Sequence, residues 1–383
     1  MAEEPLVNPD VVRRCRAFPE YIEAKLGFRN HWYPTLFADE VEEGEFTTHR
    51  ILGDRVLMTR VDGRVYAIRD RCSHRGVPFS RKPECFKKGT ITCWYHAFTY
   101  SMETGELVAI LTSPNSNQIG RRRIPTFPAQ EAKGLVFLFM GDIDPPPLSE
   151  DVPPGFLDED LAVRGVRREV ASNWRLGCEN GFDSTHIFIH KDSVLVEGND
   201  IALPLGFSPT GKEAFRIVDE EKGPVGVYDL IGEHSEPVFE GVLDGEVVRR
   251  GHMGKTRVAM DISLWLPGAL RVNPWPDPSL VQYEWYVPID EDHHFYIPTL
   301  ARHVADAEGE AAFSSEFDEK WQELALAGFN DDDIWAREAQ QEFYRHDEAW
   351  LKERLFEPDA NIVQWRKLAS RRNRGVQQRE HLL

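Results

Sequence analysis

The spacing of hydrophobic positions changes along the chain and divides it into differently folded segments. From Val11 to Leu26 apolar residues recur every three to four positions, which predicts an amphipathic helix that ends before Gly27. From Trp32 to Met140 they form short runs typical of β-strands, and the apolar run Leu135–Met140 predicts a buried strand. We therefore expect a short helical segment followed by a β-rich unit.

Two turn signals lie inside the β-rich stretch. Asp62-Gly63 separates two strand-like runs and is a strong signal for a two-residue hairpin. The tetrapeptide 103–106, which contains Gly105, predicts a second turn. Strands joined by such turns can hold the loops between them rigidly.

A proline-rich break separates this stretch from the rest of the chain. Residues 141–147 and 153–155 are the clearest candidate for a domain boundary. Beyond them, Ala259–Leu266 and Val281–Ile289 are strand-like, whereas Glu316–Ala339 has helical spacing. The second block therefore mixes strands and helices.

Composition narrows the class of protein. With 383 residues, 41% of them hydrophobic, the chain can bury one large core or two ordinary ones. A net charge of −19 disfavours nucleic acid and anionic membranes as partners. No apolar run approaches the ~20 residues that span a bilayer, and Met1–Pro5 lacks the features of a secretory signal. We expect a soluble, cytoplasmic protein.

Two cysteine–histidine pairs carry the first candidate chemistry. Cys72 and His74 form C-x-H, and Cys93 and His96 form C-x-x-H. Two thiols and two imidazoles suit a [2Fe–2S] cluster with cysteine on one iron and histidine on the other. The alternatives are structural zinc, which more often uses C-x-x-C with H-x(3–5)-H, or four unrelated core residues. The spacing and the strand-held loops favour the cluster.

The other three cysteines, Cys15, Cys85 and Cys178, are expected to be small core residues or free thiols. Five cysteines in a chain of this length do not indicate a disulfide framework. We assign these three no function.

A histidine pair in the second block suggests another metal site. His186 and His190 are four residues apart, so on a helix they share a face with Cβ atoms about 5–6 Å apart. A zinc protease would have glutamate directly after the first histidine, where this chain has Ile187. Two histidines and one carboxylate instead form the facial triad of non-haem Fe(II) oxygenases.

The carboxylate of such a triad must come from elsewhere in the chain. Asp331, Asp332 and Asp333 are candidates, and local spacing does not choose among them. An isolated histidine pair is more often structural. The upstream Cys/His motif favours the metal site, because an electron-delivery centre beside an O2-activating centre makes chemical sense.

These motifs resemble a known enzyme family. Together with Asn173–Arg175, Glu179-Asn180 and Asp183, they are similar over nearly the whole chain to the terminal oxygenase (alpha) subunits of Rieske non-haem iron ring-hydroxylating oxygenases. The resemblance implies an α+β protein. Its N-terminal domain would be an all-β Rieske [2Fe–2S] domain, and its C-terminal domain a helix-grip (START-like) antiparallel sheet with helices carrying a mononuclear iron. The expected domains are a helical segment 1–29 packed on the catalytic domain, a Rieske domain 30–150 and a catalytic domain 151–383.

The family pattern also selects the third iron ligand. In the family this aspartate begins the motif D-x(4)-E-x-Q, which Asp333, Glu338 and Gln340 match, so the resemblance implies Asp333. Many members have four residues between the two ligand histidines, whereas this chain has three. The helix geometry near the iron can therefore differ.

The resemblance implies a multicomponent enzyme. The cluster would take single electrons from a ferredoxin, itself reduced by an NADH-dependent flavin reductase, and the mononuclear iron would add both atoms of O2 to an aromatic ring. The chain has no convincing G-x-G-x-x-G after a strand and too few cysteines for another all-Cys cluster, so it cannot accept hydride itself.

The family also assigns a role to Asp183. This carboxylate would link a ligand histidine to the second Rieske histidine, His96, of a neighbouring subunit, which implies a homotrimer. The alternative is a helix N-cap, because Asp183 precedes the histidine pair by one turn.

Within the family, the terminal oxygenases of carbazole dioxygenases share three further segments, 26–34, 228–234 and 328–330. This narrower likeness implies that O2 is added to carbazole at the 1 and 9a positions. The carbon at 9a then carries both nitrogen and a hydroxyl group, and this hemiaminal opens spontaneously. It places the Gly181 carbonyl where it can accept the carbazole N–H. The side chains implied around the ring, which could equally be ordinary core, are Ile262, Trp275, Gln282 and Phe329.

Two rivals stay open at this point. One is a Rieske electron carrier without catalysis, which would hold about two irons per chain instead of about three. The other is a Rieske monooxygenase or O-demethylase acting on a different aromatic, which the same motifs would serve.

Overall fold

The computed structural model describes residues 5–209, 214–256 and 261–382, and these form two compact units. One unit contains the residues up to Phe28 and Pro146–Gln378, and the other contains Arg29–Pro145 and the residues from Arg379 onwards. Every helix within these ranges is too short or too polar to span a lipid bilayer.

The unit boundaries differ from the predicted domains at three places, the first of which is Arg29, a member of the β-rich unit. Residues 146–150 belong to the catalytic unit, where Glu150 pairs with Arg374 at 2.8 Å. The residues after 378 belong to the β-rich unit, because Arg69 donates to the His381 carbonyl at 2.7 Å and Arg71 to the Leu382 carbonyl at 3.1 Å.

The β-rich unit consists of three antiparallel sheets, as its pattern predicts. The sheet orders are β1-β10-β9, β2-β3-β4-β8 and β5-β6-β7. Their strands are β1 (His31–Phe37), β2 (Phe46–Ile51), β3 (Asp54–Val61), β4 (Arg64–Arg69), β5 (Thr90–Thr92), β6 (Phe98–Ser101), β7 (Leu107–Ile110), β8 (Thr126–Phe127), β9 (Ala129–Ala132) and β10 (Leu135–Met140). Every residue of β10 is buried, which confirms the prediction for that run.

Both turn predictions are confirmed. Asp62 and Gly63 connect β3 to β4 with φ of 51° and 76°, and two positive values are what a two-residue hairpin of type I′ requires. Gly105, with φ of 67°, lies in the turn between β6 and β7.

The predicted helix from Val11 to Leu26 is wrong in its extent. The chain forms two short helices there, α1 (Pro9–Arg14) and α2 (Pro19–Glu23). Pro19 has no N–H to donate and disfavours helical backbone at Phe18, whose φ is −155°. The helix is therefore broken before the proline.

The catalytic unit is built on an eight-stranded antiparallel sheet. Its order is β11-β24-β23-β22-β21-β16-β15, and β12 also pairs with β24. The strands of this unit are β11 (Leu161–Gly165), β12 (Arg168–Val170), β13 (Ala202–Leu203), β14 (Gly206–Pro209), β15 (Phe215–Asp219), β16 (Val225–Asp229), β17 (Ser235–Val238), β18 (Glu240–Leu243), β19 (Glu246–Arg250), β20 (His252–Met253), β21 (Asp261–Trp265), β22 (Ala269–Asn273), β23 (Val281–Pro288) and β24 (His294–His303). The two predicted strands correspond to β21 and β23, although Ala259 and Met260 lie outside the described residues.

Helices cover this sheet, as a helix-grip fold requires. The α-helices are α3 (Trp174–Phe182), α4 (Val194–Gly198), α5 (Ile231–His234), α6 (Ala307–Glu316), α7 (Asn330–Tyr344), α8 (Ala349–Lys352) and α9 (Ala360–Arg372). All residues of α3 are buried, and α3 packs on β21–β24, α7 and α9. The N-terminal segment packs on α3 as well, since the Trp174 indole donates to the Ala24 carbonyl at 2.8 Å.

The predicted helical stretch 316–339 is confirmed as helical, but it is not a uniform α-helix. Residues Phe317–Phe329 form a π-helix that leads directly into α7. Short 3₁₀-helices complete the described chain: Ala38–Glu40, Phe79–Arg81, Leu148–Glu150, His186–His190, Glu357–Asp359 and Arg379–Leu382.

The turn at Gly105 provides a test of the β-rich unit. A Cβ atom there would collide with the Ile124 carbonyl oxygen, whereas one at Gly63 would meet nothing within 4 Å. We expect Gly63→Ala to cost about 1–2 kcal/mol for its positive φ alone. Gly105→Ala should cost clearly more, because the backbone at Ile124 must also move. Scanning calorimetry of the full chain compares the two, and equal shifts in Tm would contradict this account.

Two candidate metal centres and a cavity

The two Cys/His pairs lie side by side on loops between strands. Cys72 and His74 follow β4, and Cys93 and His96 lie in the turn that joins β5 to β6, closed by the Cys93 N–H donating to the Phe98 carbonyl at 2.8 Å. The rings of His74 and His96 are 4.6 Å apart between centroids. Both thiols are buried, whereas His74 is exposed.

The donor atoms fit a shared iron–sulfur cluster. A hydrogen bond between the thiols lowers the pKa of Cys93 to about 6 and raises the pKa of Cys72. His96 Nδ1 is buried and has no hydrogen-bond partner among the described residues. The Tyr100 hydroxyl lies 3.5 Å from Cys72 Sγ and 2.9 Å from the Ser73 hydroxyl. Two neighbouring cysteine sulfurs, an imidazole nitrogen without a partner among the described residues and nearby hydroxyl groups suit a Cys/His-ligated [2Fe–2S] cluster.

The histidine pair lies on the 3₁₀-helix His186–His190, directly after α3. The two rings are 5.4 Å apart between centroids. Asp333, in the first turn of α7, completes the group. Its Oδ1 lies 3.3 Å from His186 Nε2 and 3.5 Å from His190 Nε2. The three donor atoms all lie within 4.8 Å of one another, so they can hold one metal ion.

The electrostatics of this triad favour a bound cation. Burial opposes a positive charge on His186, but the Asp333 carboxylate outweighs it and raises the pKa of His186 to about 9. Burial also opposes the charge on Asp333, yet the two imidazoles hold its pKa well below the usual range. His190 Nε2 and Asp333 Oδ1 are buried without a hydrogen-bond partner in the described part of the chain. Two nitrogens and one carboxylate oxygen fit ferrous iron.

Asp183 lies between α3 and the histidine pair. Its Oδ1 accepts from both the N–H and the hydroxyl of Thr185, each at 2.8 Å. Asp183 is the C-cap of α3, whereas the N-cap of the helix His186–His190 is Thr185, so the predicted N-cap role of Asp183 is wrong. Its backbone carbonyl accepts from His186 Nδ1. The link to His96 of a neighbouring subunit stays a prediction.

A mostly apolar cavity adjoins the triad, and the empty space in and around it, which includes open solvent at its mouth, is about 490 Å³. All five substrate residues expected from the resemblance line it, together with His186 and Asp333: Gly181, Ile262, Trp275, Gln282 and Phe329. Six further lining residues were not predicted from the sequence: Ile187, Leu203, Leu270, Val272, Glu284 and Asn330.

Strand register explains most of the cavity wall. Ile262, Val272 and Gln282 are direct partners across β21, β22 and β23, and Leu270 is paired with Glu284 in the next row. These side chains therefore share one face of the sheet. Alternation along each strand is the sequence signal that could have found them, once the register was known.

A buried polar network lies behind the cavity. Glu284 accepts from the Gln282 amide and the Tyr286 hydroxyl. Arg337 Nη2 lies 3.9 Å from Glu284 Oε2 and 3.9 Å from Asp333 Oδ2. Burial raises the pKa of Glu284, and the Arg337 charge opposes that shift. Neither Glu284 nor Arg337 was predicted from the sequence to belong to the site.

Comparison with known proteins agrees with this architecture. The sequence-family model of the Rieske [2Fe–2S] domain matches residues 31–128. The sequence-family model of the homotrimeric ring hydroxylases matches residues 139–377. The chain belongs to the homotrimeric ring hydroxylases. It is therefore an oxidoreductase, and the interpretation as an electron carrier without catalysis is wrong. The Rieske domain provides a [2Fe–2S] cluster, and the ring hydroxylases use a mononuclear non-haem iron.

Similar proteins match over nearly the whole ring hydroxylase chain. It is 55% identical to the carbazole 1,9a-dioxygenase terminal oxygenase component CarAa of Metapseudomonas resinovorans, over 98% of this chain and 99% of that protein. The component from Sphingomonas sp. is also 55% identical, over 99% and 100%. The reduced complex between oxygenase and ferredoxin in carbazole 1,9a-dioxygenase has an oxygenase with a TM-score of 0.97 and 55% identity, covering 100% of this chain and 98% of that one. The terminal oxygenase from Novosphingobium sp. KA1 gives 0.94 and 56%, covering 97% and 100%.

Removing one carboxylate of the triad should abolish binding of the mononuclear iron in this hydroxylase and leave the Cys/His cluster in place. Asp333→Ala is expected to lower the iron content from about three to about two per chain, because one ligand of the triad is lost while the Cys/His cluster is untouched. Metal analysis and the visible absorption of the cluster measure the two effects. Asp331→Ala, which removes an exposed carboxylate two residues earlier, is the control. Three irons in both variants would refute the triad.

Proposed function

We propose that this ring hydroxylase is the terminal oxygenase component of a multicomponent dioxygenase that degrades carbazole. It would add both atoms of O2 at the 1 and 9a positions, with electrons that pass from NADH through a flavin reductase and a ferredoxin. The observation that carries this proposal is the cavity: two residues of the triad, His186 and Asp333, and all five residues expected around the substrate line one mostly apolar space. The 55% identity to carbazole oxygenases supports it.

The proposal includes a division of labour between two sets of ligands. Cys72, His74, Cys93 and His96 would hold the [2Fe–2S] cluster, which stores and releases one electron at a time. His186, His190 and Asp333 would hold the mononuclear iron, which when bound and reduced activates O2. The partly closed, mostly apolar cavity would keep bulk water from the reacting ring.

Substrate orientation would depend on the C-terminal end of α3. The last carbonyls of a helix have no partner within the helix. At this end the Asn180 carbonyl accepts from the Asp183 N–H, and the Phe182 carbonyl accepts from Asn361. Gly181, between them, lines the cavity, and we propose that its carbonyl accepts the carbazole N–H. This bond would direct the ring carbon that carries nitrogen towards the triad.

The apolar side chains would hold the fused rings in that orientation. Trp275 and Phe329 meet at 5.0 Å between centroids, and Ile262 lies in the wall built by β21 to β23. After dioxygenation the carbon bearing nitrogen also bears a hydroxyl group. The C–N bond then breaks, nitrogen takes the hydroxyl proton, and the carbon becomes the carbon of a C=O group. This opening needs no group of the protein.

Monooxygenation or O-demethylation has weaker support. A vanillate O-demethylase oxygenase subunit and a tert-butanol monooxygenase subunit are similar at 27% and 23% identity, about half the value for the carbazole oxygenases.

The proposed partners of this oxygenase are a ferredoxin and two further copies of this chain. The need for NADH-derived electrons favours the cytoplasm as the place of action.

Comparing carbazole with fluorene tests the substrate assignment. Fluorene has nearly the same shape but carries a methylene group in place of N–H. We expect its kcat/KM to be lower by roughly 5–150-fold, which corresponds to about 1–3 kcal/mol for leaving a buried carbonyl without a donor. Product identification in the reconstituted three-component system accompanies the kinetics. A simple lateral cis-diol as the sole product from carbazole would contradict the proposal.

A second experiment tests the role of Asp183. Asp183→Asn keeps an oxygen that can accept from Thr185 but removes the charge proposed to link the centres of neighbouring subunits. Both metal centres should remain loaded, while cluster oxidation in a single turnover no longer yields product. Asp192→Asn, at an exposed acid just after the histidine pair, is the control. A normal single-turnover yield from Asp183→Asn would rule out the role.

A further inference from the structure

Three consecutive aspartates at the start of α7 lie in three different environments. Asp331 is exposed and contacts Arg168 at the surface. Asp332 Oδ2 lies 3.2 Å from His190 Nδ1. Asp333 is buried and faces the Nε2 atoms of both triad histidines. Consecutive residues of an α-helix point about 100° apart, so one turn can serve all three purposes.

The ring of His190 is held more tightly than its sequence suggests. It is fully buried, and the Phe329 ring stacks on it with centroids 3.7 Å apart and planes 15° apart. Stacking fixes the plane of the ring but allows it to rotate within that plane. The contact from Nδ1 to Asp332 stops this rotation and leaves Nε2 directed at Asp333.

The two histidines are held by different chemistry. His186 Nδ1 donates to the neutral backbone carbonyl of Asp183, whereas His190 Nδ1 donates to the Asp332 carboxylate. In both cases a proton fixed on Nδ1 leaves the Nε2 lone pair free for a metal. A carboxylate that accepts the Nδ1 proton also makes Nε2 a stronger metal ligand than a carbonyl acceptor does.

We propose that Asp332 is a positioning residue for the mononuclear iron, acting through His190. It fixes the tautomer and orientation of His190 and strengthens its Nε2 as a ligand. The inference rests on the proposed function, because it takes His190 as an iron ligand. It assigns a separate role to an acid that the sequence offered only as a rival for Asp333.

The test measures iron directly. Asp332→Ala removes the acceptor, and Asp332→Asn keeps an acceptor oxygen but removes its charge. The matched control is Asp331→Asn, one residue earlier on the same helix turn. Each full-length protein, with its cluster verified by visible absorption, is titrated with Fe(II) against a competing chelator. The EPR spectrum of the ferrous centre in the presence of nitric oxide reports the ligand geometry.

We expect the Kd for Fe(II) to rise by about 10–100-fold in Asp332→Ala, by less in Asp332→Asn, and to stay unchanged in Asp331→Asn. The EPR spectrum should change only in the two Asp332 variants. Wild-type affinity and spectrum in Asp332→Ala would overturn the inference. If that variant does not fold, an Asp332→Asn protein indistinguishable from Asp331→Asn overturns it equally. Failure of the unaltered chain to bind this iron would instead refute the proposed function.

Discussion

The catalytic unit depends on holding one carboxylate between two imidazoles in a buried place. An unpaired charge costs several kcal/mol when it leaves water, and Arg337 approaches Asp333 only to 3.9 Å. The positive charge that balances Asp333 must therefore come chiefly from the Nε2 side of the triad, from a proton or from a metal ion. A metal ion held there would replace the proton and satisfy all three donor atoms, so its binding would also stabilise this unit.

This arrangement is possible because α3 lies unusually close to strand β23 of the sheet. A Cβ atom at Gly177 would lie 2.6 Å from a Tyr286 ring carbon, and one at Gly181 would collide with the Tyr286 hydroxyl. Two glycines one helical turn apart thus allow the helix to rest on β23. The close approach places the end of α3, and with it the histidine segment, beside the strands that line the cavity. It also leaves the Gly181 backbone, with no side chain to cover it, in the cavity wall.

Features encoded by neighbouring residues could be predicted from the sequence, and those set by distant contacts could not. The hairpin at Asp62-Gly63 follows from two residues that tolerate positive φ. The break in the helix before Pro19 also follows from a single local residue, but the spacing of apolar residues taken alone did not predict it. By contrast, spacing could not choose among three aspartates, because the choice depends on how α7 is rotated against the histidine segment. The pairing of Glu284 with Arg337 depends on the packing of β23 against α7, which leaves no local signal.

The two metal centres also differ in how they meet solvent, and the difference suits their chemistry. In the Rieske domain the thiols are buried while His74 is exposed, so the imidazole edge of a cluster held there faces the surface. An electron can enter or leave through that edge without opening the fold. In the catalytic unit His190 and Asp333 are buried, and the mostly apolar cavity reaches the triad at His186 and Asp333. Exposure serves electron exchange, and burial protects a reactive iron from water. In this chain the two tasks fall to two compact units, one with an exposed candidate ligand, His74, and one with two buried candidate ligands, His190 and Asp333.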